Sequence, residues 1–124
     1  MKTILYADDD LVLRKTVAAF LAKMKHAVIL ASDGYEALRV LADRSIDLLI
    51  TDIRMPGMTG FELARQAKLM RADLKIIYVS GRFSETDRGS DAPDGVLMDK
   101  PLDPDDLIQE VNRQLSSGSD EVDA

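Results

Sequence analysis

The sequence contains no cysteine, which excludes disulfide bonds and metal sites built on thiolates. It has no apolar stretch long enough to span a bilayer, and its first residues, Met1-Lys2-Thr3, lack the apolar segment of a signal peptide. Lysine and arginine form no cluster of the kind that marks a nucleic-acid surface. These absences predict a cytoplasmic protein that makes no direct contact with nucleic acid or membranes.

The size and charge of the chain fit one small domain. Its 124 residues carry a formal charge of −6, from 22 acidic against 16 basic residues, and one domain is the usual outcome at this length. Three of the acids lie in a polar tail, at Asp120, Glu121 and Asp123. We expect a folded domain over residues 1–116 and a disordered acidic tail over residues 117–124. Met1 and the tail favour a complete chain over a piece cut from a longer protein.

Five apolar runs begin near residues 4, 28, 48, 76 and 96 and alternate with segments of helical period. This alternation predicts an α/β fold with a parallel sheet and helices on both of its faces. Helix starts are marked by Thr59 with Glu62, a capping box, and by Asp103 before Pro104. Asp10 is interpreted as the N-cap of the first helix.

One segment departs from the pattern. Residues 84–94 are almost entirely polar and include Gly89 and Pro93, which oppose a long helix. We therefore predict that the fourth helix of the fold is short, mobile or absent.

Charged and hydroxyl-bearing residues stand where four of the predicted strands end: Asp8 and Asp9, Asp52, Ser80, and Lys100 with Pro101. The carboxyl ends of parallel strands share one edge of the sheet, and ligands bind there. Three carboxylates, a hydroxyl and a lysine would therefore converge on a site for a divalent cation and a phosphoryl group.

The acids of this site suit a hard cation such as Mg²⁺ or Mn²⁺, which takes oxygen ligands and keeps several waters. Asp9 and Asp52 could bind it directly, Asp8 could hold a bound water, and the backbone carbonyl of Arg54 could add an oxygen. An aspartate carboxylate can also attack phosphorus to give an aspartyl phosphate. Lys100 and the cation would then neutralise the phosphoryl group, a transfer that needs positioning and charge more than covalent help.

Four motifs together resemble the receiver domain of two-component response regulators: D-D after the first run, T-D-I-R-M-P-G-M-T-G over residues 51–60, S-G after the fourth run and K-P after the fifth. The resemblance covers residues 2–115. It implies a doubly wound, flavodoxin-like (βα)5 fold with a five-stranded parallel sheet of order 2-1-3-4-5.

The resemblance also implies roles for individual residues. Asp52 would be the phosphoacceptor, Asp8 and Asp9 the metal-binding pair, Ser80 the switch hydroxyl, and Lys100, joined to Pro101 by a cis bond, the phosphate-binding lysine. The partners would be a sensor histidine kinase or phosphotransfer protein and a downstream protein target. The chain would be a monomer or weak dimer and would catalyse nothing beyond its own phosphorylation and dephosphorylation.

The chain departs from the receiver pattern at Leu97, where the family usually has Tyr or Phe three residues before the lysine. This predicts a different readout of phosphorylation, and ordering or disordering of the weak fourth helix is one hypothesis. Arg54 and Arg82 flank the predicted phosphoryl site, where they could shield it from water and tune its lifetime. They could equally be ordinary surface arginines.

Two other functions compete with the receiver. A phosphohydrolase of the haloacid dehalogenase type would use Asp8 as nucleophile and Asp10 as acid, with Asp105 and Asp106 as its late acidic pair, but it leaves Asp52 without a role. A pseudo-receiver would keep the fold without being phosphorylated, yet such modules usually lose the acids or the lysine. Within the receiver interpretation, a signalling regulator and a phosphate sink that drains a kinase both stay open.

Overall fold

A computed structural model describes residues 1–81 and 92–116 of the chain. The strands are β1 (Thr3–Ala7), β2 (Ala27–Ala31), β3 (Leu48–Asp52), β4 (Lys75–Ser80) and β5 (Val96–Asp99), and the helices are α1 (Leu11–Leu21), α2 (Gly34–Asp43), α3 (Gly60–Met70) and α4 (Pro104–Ser116). The weak fourth helix predicted within residues 84–94 falls largely on residues 82–91, outside the described residues. The helices are therefore numbered along the described part alone.

The five strands form one parallel sheet of order β2-β1-β3-β4-β5, which confirms the topology implied by the resemblance. Its register brings the carboxyl ends of the strands level with one another. Ala7 lies beside Thr51, Asp52 beside Val79, and Ser80 beside Asp99. One edge of the sheet therefore holds the last residues of β3 and β4 together with the residues that follow β1 and β5.

The helices begin where the sequence marks them. The Asp10 side chain accepts a hydrogen bond from the Leu13 amide at 3.1 Å, which confirms Asp10 as the N-cap of α1. Both bonds of the Thr59–Glu62 capping box are formed at the start of α3. These caps satisfy backbone amides that the first helical turn leaves without partners, and they fix how α1 and α3 leave the site.

Most buried side chains of the strands belong to two apolar clusters, one on each face of the sheet, and two side chains of β4 belong to a third, smaller cluster. Ile4, Tyr6 and Ile50 pack with residues of α1 and α4 on one face, whereas Leu5 and Leu49 pack with residues of α2 and α3 on the other. The central strands β1, β3 and β4 are buried on both faces, which explains why they read as continuous apolar runs. Among the described residues, no helix has the length and apolar character needed to cross a membrane.

Candidate functional site

Three carboxylates meet at the carboxyl edge of the sheet. Asp8 follows β1 and is fully buried, Asp52 ends β3 with 6% of its surface exposed, and Asp9 is exposed. One oxygen from each side chain lies within 4.8 Å of the others. Such an all-oxygen set suits Mg²⁺ or Mn²⁺, and Asp9 lies on the solvent side, where a hydrated ion would arrive.

Hydrogen bonds hold the buried carboxylate of Asp8 at both of its oxygens. Oδ1 accepts from the Asp10 amide at 2.9 Å, and Oδ2 accepts from the Tyr6 hydroxyl at 2.6 Å. The Arg14 guanidinium donates to the Asp8 backbone carbonyl at 2.7 Å. The side chain and main chain of Asp8 are therefore both fixed by neighbouring residues.

Tyr6 is a site residue that sequence reasoning misses, since it reads as one more apolar residue of the first run. The side-chain alternation of a strand is the signal that could have found it, because residues two apart share a face. Tyr6 is fully buried. Its burial and the neighbouring Asp8 carboxylate raise its pKa above the ordinary range of tyrosine, so the hydroxyl keeps its proton and acts as a donor.

The ammonium of Lys100 bridges the two buried acids. Its Nζ lies 3.2 Å from Asp52 Oδ1 and 3.4 Å from Asp8 Oδ2, and 19% of its side chain is exposed. The Lys100-Pro101 peptide bond is cis, as the resemblance implies. The Lys100 amide also donates to the carbonyl of Ser80 at 2.9 Å, so the end of β4 holds the lysine in place.

The positive charge of Lys100 does not fully balance the burial of the Asp52 carboxylate and its repulsion by Asp8. Burial raises the pKa of Asp52, the Asp8 carboxylate raises it further, and Lys100 opposes both effects. One ammonium therefore does not compensate for burying these acids together. A divalent cation would relieve the remaining repulsion, and the residues present thus fit a bound metal ion.

The backbone around Asp52 is packed against the start of α3. The Gly60 amide donates to the Ile53 carbonyl at 2.8 Å. A Cβ on Gly60 would lie 2.2 Å from the Asp52 carbonyl oxygen, so only glycine allows this approach. Gly57 has a φ of +84°, which also favours glycine. Both glycines serve the backbone geometry of the loop between β3 and α3.

The remaining predicted residues are placed as follows. Ser80 ends β4, is 2% exposed and lies beside Asp99 of β5. Arg54 is exposed, and Leu97, on β5, is 36% exposed. Arg82 lies outside the described residues, so its predicted role in tuning stays a prediction.

The residues required by a dehalogenase-type phosphohydrolase have other roles here. Asp10 caps α1, and the amides of Asp105 and Asp106 donate to Asp103 in the first turn of α4. The late acidic pair therefore belongs to a helix start, and nothing in this geometry favours that rival.

Comparisons with known proteins agree with this geometry. The family model of the response regulator receiver domain matches residues 4–112. The response regulator receiver protein CpdR of Brucella abortus (strain 2308) is 38% identical over 93% of this chain and 98% of its own length. The chemotaxis protein CheY4 of Vibrio cholerae superposes with a TM-score of 0.85 at 28% identity, covering 93% of this chain and 99% of CheY4.

Some relatives are much longer than this chain. The DNA-binding transcriptional regulator NtrC of Azospirillum brasilense is 34% identical over 94% of the chain, but the match covers 25% of NtrC. What the chain shares with that protein is a single portion of it.

Proposed function

The chain belongs to the receiver domain family of two-component response regulators, and we propose that it works as a phosphoacceptor that takes a phosphoryl group onto Asp52. The donor would be a phosphohistidine on a sensor histidine kinase or a phosphotransfer protein. The observation that carries this proposal is the position of Asp52, nearly buried at the end of β3 between a second carboxylate and the Lys100 ammonium.

Hydrogen bonding favours Asp52 over Asp8 as the nucleophile. Both oxygens of Asp8 accept hydrogen bonds from other residues of the chain. In the stretches 1–81 and 92–116, the hydrogen bonds to the Asp52 carboxylate, from the Ile53 amide and Lys100, both go to Oδ1. Oδ2 of Asp52 is therefore the oxygen best able to attack.

The proposed step transfers the phosphoryl group between two side chains. Oδ2 of Asp52 forms a bond to phosphorus while the bond from phosphorus to the histidine nitrogen breaks, and the imidazole leaves with the electron pair of that bond. The negative charge on the phosphoryl oxygens is the main obstacle, so positioning and neutralisation carry the catalysis. Lys100, already 3.2 Å from Asp52, supplies one positive charge at the acceptor.

A bound Mg²⁺ or Mn²⁺ would supply the remaining positive charge. Asp9 and Asp52 would hold the ion directly and the Arg54 carbonyl would add an oxygen. Asp8 would act through water, because both of its oxygens already accept hydrogen bonds. The raised pKa of Asp52 supports this assignment, since buried carboxylates that repel one another favour cation binding.

Ser80 and Lys100 are proposed to bind the phosphoryl oxygens once the group is on Asp52. The hydrogen bond from the Lys100 amide to the Ser80 carbonyl supports the proposal that the two residues move together when the phosphoryl group binds. Leu97 stands where the family usually has an aromatic ring, and an aliphatic side chain cannot make the ring's contacts. We therefore propose that a downstream protein reads a change at Ser80 and β5 without a rotating aromatic residue.

Intact mass spectrometry after incubation with acetyl phosphate and Mg²⁺ tests the proposal. The wild type should gain one phosphoryl group, whereas Asp52→Asn, or the wild type with a chelator, should gain none. Asp10→Asn is a matched acid-to-amide control at the helix cap, and it should be labelled like the wild type. Labelling of Asp52→Asn to the wild-type extent would overturn the proposal, as would a failure of acetyl phosphate and a phosphorylated kinase alike to label the wild type.

A further inference from the structure

Among the described residues, the Tyr6 hydroxyl makes the shortest hydrogen bond to a buried acid of the site, and it makes it to Asp8. Their oxygens are 2.6 Å apart, and both residues are fully buried. A hydrogen bond from a hydroxyl to a carboxylate at this length is of the strong, charge-assisted kind. Tyr6 therefore contributes a strong hydrogen bond to the site in addition to packing its ring in the core.

The position of the hydroxyl is fixed by the fold. The ring of Tyr6 is packed on the α1 and α4 face of the sheet, among residues such as Ile4 and Val17. A tyrosine has two side-chain torsions, and close packing of the ring restricts both. The packing of the ring therefore holds the hydroxyl in a fixed position beside Asp8, which lies two residues later in the chain.

Tyr6 and Lys100 share one oxygen of Asp8. The hydroxyl lies 2.6 Å from Oδ2, whereas the Lys100 ammonium lies 3.4 Å from it and closer, at 3.2 Å, to Asp52. The shorter hydrogen bond from Tyr6 satisfies much of the hydrogen-bonding capacity of the buried Asp8 Oδ2. Lys100 is thereby left nearer to Asp52, where the phosphoryl group would arrive.

We propose that Tyr6 is a positioning residue of the phosphorylation site, which orients Asp8 toward the cation and leaves Lys100 available to Asp52. This inference rests on the proposed function and adds a residue to it. Without the hydroxyl, the more distant ammonium is the one donor that residues 1–81 and 92–116 still offer to Asp8 Oδ2. The carboxylate then loses its fixed orientation, and Lys100 is drawn from Asp52 toward Asp8.

Cation binding should therefore weaken when the hydroxyl is removed. Loss of a group that orients a metal-binding side chain typically reduces metal affinity by about 10–100-fold. Because Asp8 keeps its bond from the Asp10 amide, we expect Tyr6→Phe to lie near the lower end, at about tenfold.

Tyr78→Phe is a matched control. Tyr78 is also fully buried, lies in β4, and donates from its hydroxyl to the Pro93 carbonyl at 2.7 Å. Its ring contacts Phe61 in a separate cluster. Both substitutions thus remove one hydroxyl from a buried ring and one short hydrogen bond, but only Tyr6→Phe affects Asp8.

Isothermal titration with Mg²⁺ measures the dissociation constants of the wild type, Tyr6→Phe and Tyr78→Phe without any phosphoryl donor. We expect the constant to rise about tenfold for Tyr6→Phe and to stay within about twofold for Tyr78→Phe, while urea midpoints confirm that all three proteins are folded. An unchanged constant for Tyr6→Phe, or an equal rise for Tyr78→Phe, would overturn the positioning role. No Mg²⁺ binding by the wild type would instead overturn the proposed function, and this inference with it.

Discussion

Replacing Gly60 by alanine should disturb the phosphoacceptor through its own backbone. A Cβ at this position would lie 2.2 Å from the Asp52 carbonyl oxygen and 3.0 Å from the Asp52 carbonyl carbon. Non-bonded atoms prefer separations of about 3.5 Å, so the two segments would have to part by about 1 Å. Because the opposing atoms are backbone, no side chain can rotate to make room.

The expected cost follows from this overlap. Overpacking a core typically costs about 1–3 kcal/mol, and a clash against backbone belongs at the upper end. The higher helix propensity of alanine offsets up to about 1 kcal/mol of this loss in the free energy of unfolding. We therefore expect the free energy of unfolding to fall by about 2 kcal/mol, together with slower phosphorylation, because the displaced carbonyl belongs to Asp52.

Urea denaturation measures this loss, and Gly34→Ala is the control. Gly60 and Gly34 each begin a helix, but a Cβ on Gly34 meets the flexible side chain of Met58, with its sulfur at 2.7 Å. With a slope of about 2 kcal/mol per molar urea, the midpoint should fall by about 1 M for Gly60→Ala and by less than half of that for Gly34→Ala. Equal stability of Gly60→Ala and the wild type, or equal losses in both variants, would show that the close approach of Gly60 to the Asp52 carbonyl does not limit stability.

Further predictions concern the charges of the site. Because the pKa of Asp52 is raised in the folded state, its ionised form destabilises the fold, and the penalty disappears as the pH falls through that pKa. Asp52→Asn should therefore be more stable than the wild type at neutral pH without metal, with the difference shrinking in acid. Lys100→Met should lower stability at neutral pH by roughly 1–3 kcal/mol, because two buried acids lose a shared donor. Mg²⁺ at 100 times its dissociation constant should stabilise the wild type by about 2.7 kcal/mol and Asp52→Asn much less. Urea titrations at several pH values, with and without Mg²⁺, check all three, and a wild type more stable than Asp52→Asn without metal at neutral pH would contradict the account.

The sequence predicts the fold well because each element carries its own local signal. Thr59 with Glu62 and Asp103 before Pro104 mark helix starts that the structure confirms. Fully buried strands leave continuous apolar runs, and polar residues after those runs identify the functional edge. The order of the strands follows from the resemblance, because periodicity alone does not say which strands are neighbours.

The details of the candidate site depend on distances that sequence does not contain. Tyr6 reads as an apolar residue until its hydroxyl is placed 2.6 Å from Asp8. The bridging of two acids by Lys100 depends on how close the ends of β1, β3 and β5 lie to one another. The close approach of Gly60 to the Asp52 carbonyl likewise follows from packing between α3 and β3. Each of these contacts joins residues that the local pattern treats separately.

Chemical trapping of the acyl phosphate shows directly whether Asp52 is the residue that accepts the phosphoryl group. Borohydride reduces an aspartyl phosphate to homoserine, so peptide sequencing by mass spectrometry after phosphorylation and reduction identifies the residue that carried the phosphoryl group. We expect homoserine at position 52, dependent on Mg²⁺ and on the phosphoryl donor. Homoserine at position 8 would contradict this expectation and favour the phosphohydrolase.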